Sequence, residues 1–278
     1  VTSDLPLHWH VTEVAAVVVL AALYGSARVE SHRRRQALAA LAVLLVVVVW
    51  PFGDVAAEVS LSAAVVQRLV VMLLVVPVLL RATPVDWLEH STRPAPVDAI
   101  ARRLANPGVA VAFVTLLGTL TVSPTLVDAG ARSLPAHLAV LALTAIVGVV
   151  LWAPVLGVVP GARRLSPAGR AGYLLASSLV VTGLSFVWIF ATHPLYPGLH
   201  HQEEVLHVSA LFDQQLAGFI AKLGAYVPMW AVAFWIFAHA DEESRPAEES
   251  PLHWVDVERQ LLRADRARAR KSRRRHPL

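Results

Sequence analysis

Cysteine is absent from the chain. That excludes disulfides and thiolate metal centres, so a metal would have to be held by His, Met or carboxylate ligands. Lysine is almost missing: Lys222 and Lys271 stand alone, and arginine supplies nearly all of the basic character behind a pI near 9.9. Methionine is limited to Met72 and Met229, too little for a thioether-lined copper(I) path. Charged residues make up only 16% of the chain, less than a soluble protein of 278 residues keeps on its surface. Glycine-rich phosphate loops, a nucleophile elbow and a Ser–His pairing are also missing, so no enzymatic activity is expected.

Apolar residues fill that space. They form 56% of the chain and gather into seven long runs, at 11–27, 36–52, 61–80, 109–126, 136–159, 172–192 and 216–240. Each is near the length a helix needs to cross a hydrocarbon core of about 30 Å, and each is too long for a strand. The fold expected is therefore all-α, a seven-transmembrane helix bundle spanning residues 1–240, followed by a charged tail, 241–278.

Arginine clusters follow the first, third, fifth and seventh runs: Arg28 and Arg33–Arg35, then Arg81, Arg93, Arg102 and Arg103, then Arg163, Arg164 and Arg170, then the tail. The alternate connections carry only Arg132. By the positive-inside rule the N-terminus faces out and the C-terminus lies in the cytoplasm. These positions favour a lipid bilayer as the partner of the basic residues over nucleic acid. Val1 reads as a GUG start and no signal peptide is recognised, pointing to a multi-pass protein of a bacterial plasma membrane.

On that topology, seven of the 12 histidines gather at the outer surface: His8, His10, His137, His193, His200, His201 and His207. Four of them lie in the polar stretch 191–218, between two apolar runs. His200, Glu204 and His207 fall at i, i+4 and i+7, one face of a helix. Imidazole suits copper, zinc, iron and nickel, so this loop is a candidate metal site; the alternative is a solvated connector. Arg68 and Lys222 fall inside apolar runs, where a cation costs about 2.5–3.5 kcal/mol on insertion scales. They are expected to face inward and pair with Glu13, Glu58 or Asp213.

The stretch 212–244, with Asp213-Gln214, the small pair Ala217-Gly218 and Pro228, resembles the closing segment of the Caa3-type CtaG family of cytochrome c oxidase assembly factors. Leu151–Gly157 is similar to that family's fifth-span ending, and His137 stands where the family usually has a histidine. The resemblance implies a factor for maturing haem–copper oxidase, with the oxidase subunits as partners and copper as the ion handled on the outer face. On this reading His193, His200, His201 and His207 are the loop ligands, with His137 near them and Asp213 orienting a ligand or pairing with Lys222. The sequence departs from the family where Ala64 and Arg68 replace a histidine pair in the third run, at Val122 before Ser123-Pro124, and at Asn106-Pro107. Arginine stays protonated and is no ordinary ligand. Two other readings stand beside copper delivery: a metal-free scaffold for oxidase assembly and a copper permease.

Overall fold

A computed structural model describes residues 10–27, 29–199 and 205–240, and all of its regular structure is helical. We number the helices α1 (Val11–Ser26), α2 (Ser31–Val48), α3 (Phe52–Val59), α4 (Leu61–Ala82), α5 (Val85–Thr92), α6 (Ala95–Leu104), α7 (Pro107–Thr121), α8 (Pro124–Arg132), α9 (Leu134–Leu156), α10 (Pro167–Val181), α11 (Ser185–Ile189) and α12 (Ala210–Ala238). The tail 241–278 lies outside the described residues.

The expectation of seven spans is overturned. Among the described residues four helices are long and apolar enough to cross a membrane: α4, α9, α10 together with α11, and α12. Two bent pairs, α2 with α3 at 62° and α6 with α7 at 91°, raise the number to six at most. The first run forms only the 16 residues of α1, about 24 Å of helix against a core of about 30 Å.

Apolar length misleads here because the runs cross helix breaks. Pro107 pushes the preceding Asn106 into extended backbone, with φ −71° and ψ 124°, and the Asn106 side chain then caps α7 through the Gly108 and Val109 amides at 3.0 and 3.4 Å. Ser123, extended before Pro124, divides the fourth run in the same way. The sixth run is interrupted at residues 182–184.

α9 is the central helix. Of its apolar window 56% is buried, against 22% for α12, which lies at the flank. α9 packs on α7, α8 and α4, while α1 lies along α2. Where α9 meets α4, the fit at Gly148 is tight: a methyl group would stand 3.2 Å from both the Cα and the carbonyl oxygen of Met72, so the helices would have to part by a few tenths of an ångström. Small residues permit such close approach of helices in lipid. The contact lies on a π-helical turn, Val70–Val75. In an i→i−5 pattern the Met72 carbonyl would be served by residue 77, but Pro77 has no N–H. The Trp152 indole of α9 donates to that carbonyl at 3.0 Å instead.

Candidate functional site

The Asp213-Gln214 pair at the start of α12 is buried, and its oxygens hold the bundle together. Asp213 accepts from the Ser60 hydroxyl at 2.8 Å, the Leu61 amide at 2.7 Å and the Ser62 amide at 3.3 Å. The Ser62 hydroxyl donates to the Asp213 carbonyl at 2.8 Å. A carboxylate from the last helix thus caps the first turn of α4, where free amides and the helix dipole favour negative charge. Ser60 completes the cap by accepting from the Ala63 amide at 3.1 Å. Gln214 accepts from the Leu195 amide at 2.7 Å and anchors the loop after α11. Four residues on, Gly218 lets α12 close on α11: a methyl there would meet the Ile189 side chain at 2.8 Å and the Ser185 carbonyl at 2.9 Å.

A second polar cluster lies under α1. The His10 ring is held between two carboxylates, with Nδ1 3.5 Å from Glu13 and Nε2 3.0 Å from Asp54, all three side chains nearly closed to solvent. His10 and Glu13 share the first turn of α1, while Asp54 comes from α3. Gly53, beside Asp54, leaves no space for a methyl, which would clash with the Val48 carbonyl. Both ring nitrogens face carboxylates, so neither is turned outward as a ligand.

His137 and Arg68 share a small hollow beside this cluster, lined also by Gln67 and Gly130. His137 is within electrostatic reach of Glu13, Asp54, His10 and Arg68. Gln67 is fixed by donating to the Val47 carbonyl at 2.7 Å.

The remaining histidines are placed differently. His193 and His207 are exposed on the stretch between α11 and α12, His207 with a φ of 55°. The Thr192 hydroxyl stands 3.4 Å from His193 Nδ1. His200 and His201, with Glu204, lie outside the described residues, as does His8. Among the described residues no three His, Asp or Glu side chains surround a common point suited to a metal ion. The loop is anchored by Tyr196, whose hydroxyl donates to the Val122 carbonyl at 2.6 Å and whose pKa burial pushes up to about 12. The Gly198 amide donates to Asp128 at 3.0 Å.

Two of the expected carboxylate partners of the intramembrane cations, Glu13 and Asp213, are engaged by His10 and by the first turn of α4. Lys222 places its Nζ 4.0 Å from the centre of the Phe186 ring, a cation–π contact. Arg68 makes no ion pair or hydrogen bond among the described residues, and its Nη1 is buried without a partner. Sequence reasoning passed over Asp54 as a site residue. The signal available was an acid beside a glycine in an otherwise apolar run, facing a His–Glu pair spaced i, i+3.

No curated protein and no solved structure matches the chain. The family model for the cytochrome c oxidase caa3 assembly factor (Caa3_CtaG) matches residues 11–241. That match takes in every helix described above, including the Asp213-Gln214 clamp and the glycine contact behind it, and the chain belongs to the family of cytochrome c oxidase caa3 assembly factors.

Proposed function

We propose that this membrane-embedded assembly factor acts at the copper step of oxidase maturation, passing copper as cargo to a haem–copper oxidase subunit on the outer face. As a member of its family the protein is chaperone-like and non-catalytic. The observation that carries the copper reading is the exposure of His193 and His207 at either end of one polar loop, with His200 and His201 between them in the sequence. Accessible imidazoles not committed to the bundle suit an ion that is received and handed on. Residues 191–218 contain no lysine or arginine, the charge pattern of an outward segment. His137 suits the role less, because Arg68 shares its hollow and opposes a cation there. Asp213 is occupied by α4.

The test compares copper(I) retention by tag-free protein, against a competing chelator, in the parent and in a variant with His193, His200, His201 and His207 changed to alanine. Loss of copper from the folded variant, with a copper-poor oxidase in cells carrying it, is the expected result. Equal copper content in both proteins favours the second reading, a metal-free scaffold that holds oxidase subunits. That reading draws its support from the absence of a three-ligand cluster among the described residues.

A further inference from the structure

Arg68 lies about two turns into α4, and it is the polar wall of two hollows. One is the small space shared with His137. The other is a cavity of about 90 Å³ enclosed by α4, α7, α9, the α10–α11 break and α12. Its lining is mostly apolar, with hydroxyls of Thr115, Thr119, Thr121, Thr144, Thr182 and Ser185. All but that of Thr119 donate to carbonyls of their own segments: Val111, Gly118, Val140, Ser178 and Thr182. Arg68 is therefore the cavity's cation, and its Nη1 donors are unclaimed.

A cation at this depth is costly without a counter-charge. Three carboxylates of this region are committed: Glu13 and Asp54 face His10, and Asp213 caps α4. The cavity is lined by residues of the interruption at 182–184, and irregular backbone at membrane depth is tolerated where it lines a cavity. Thr119 both lines the cavity and is exposed on the bundle surface, so the cavity has a side entrance. A cavity of about 150 Å³ holds one benzene. This smaller one has space for a carboxylate or phosphate group itself, with the rest of the molecule left in the bilayer.

We propose that this cavity binds the anionic head of a single-charged membrane amphiphile, a carboxylate or a phosphodiester, against the Arg68 guanidinium, with the acyl chain leaving past Thr119. Arginine pairs with both heads through parallel N–H donors. The site is independent of copper handling by the loop.

Trp188 lines the cavity and provides the readout. The full chain is placed in phosphatidylcholine nanodiscs and titrated with dibromostearate or brominated phosphatidylglycerol. The signal is the quenching lost in Trp188→Phe. Saturable quenching is expected with at least one of the two amphiphiles, and which one separates a free fatty acid from a phospholipid. Arg68→Gln should weaken it by about tenfold or more, the loss of one charge-assisted hydrogen bond, while Arg68→Lys, which keeps the charge but not the parallel donors, should fall between the parent and Arg68→Gln. Without ligand, Arg68→Gln should resist detergent unfolding at least as well as the parent, since it lacks the unpaired cation. Unchanged affinity in Arg68→Gln would overturn the proposal. So would equal binding of methyl dibromostearate, which has no charge, or stabilisation by inorganic phosphate matching that by the amphiphiles.

Discussion

Asp213, at the head of the last helix, holds the Leu61 amide at 2.7 Å and thereby begins a helix that lies 152 residues earlier in the chain. The bond joins α12 to the N-terminus of α4, where the backbone has no internal partner to offer. It makes the acidic member of the Asp-Gln pair a structural residue first.

Replacing Asp213 by alanine should strip three donors of their acceptor and cost about 3 kcal/mol in detergent-unfolding measurements. Asparagine should cost less, about 1–2 kcal/mol, because its carbonyl still accepts but brings no charge to the α4 terminus. Neither change should alter the number of copper ions bound by the folded protein. A copper loss in Asp213→Asn at unchanged stability would make the residue a ligand instead.

His10 separates two buried carboxylates, and removing it alone leaves both without the ring. His10→Ala should destabilise by about 3–5 kcal/mol, the range for a broken buried pair. The triple change His10→Ala, Glu13→Gln, Asp54→Asn should be milder, since no uncompensated charge stays behind. A triple variant less stable than the single one would show that the cluster contributes net stability through its charges.

Gly218 should tolerate nothing larger. Gly218→Ala places a methyl within 3 Å of Ile189 and the Ser185 carbonyl, and overpacking of this kind costs about 1–3 kcal/mol. Gly172, where a methyl meets nothing within 4 Å, is the matched control, and Gly172→Ala should leave unfolding unchanged or slightly delayed.

The cysteine-free background makes sidedness directly measurable. His193→Cys, at an exposed loop position, should react in intact cells with a membrane-impermeant maleimide. Arg163→Cys, exposed in an arginine-rich segment, should react only after permeabilisation. The reverse pattern would place the imidazole loop in the cytoplasm and remove the outer-face copper reading.

The helical character and membrane residence of the bundle were legible, because long apolar runs carry that information without knowledge of neighbours. The number of spans was not. Residues 109–126 read as one run, yet Ser123-Pro124 starts a new helix within it, and Asn106-Pro107 turns the chain by 91° just before it. Hydropathy is blind to such breaks. The family resemblance was carried by Asp213, Gln214 and Gly218, but their work was hidden. Their partners are Ser60, Leu61, Leu195 and Ile189, and nothing local in the sequence announces a pairing across the fold. Lys222 was recognised as a cation inside an apolar run and expected to find a carboxylate. It found the Phe186 face, a partner that apolar composition conceals.

The indole of Trp152 reaches the Met72 carbonyl across 80 residues, and this has a consequence for how the protein is made. α4 leaves the ribosome long before α9 is synthesised. Until α9 arrives, the carbonyl opposite Pro77 sits at membrane depth with no donor, a state that costs several kcal/mol in lipid. The nascent chain therefore has a reason to keep α4 beside the insertion machinery, or against a temporary polar neighbour, until its later partner emerges. A ribosome stalled before Trp152 should show α4 crosslinking to the insertion channel, and one stalled well after it should show α4 released.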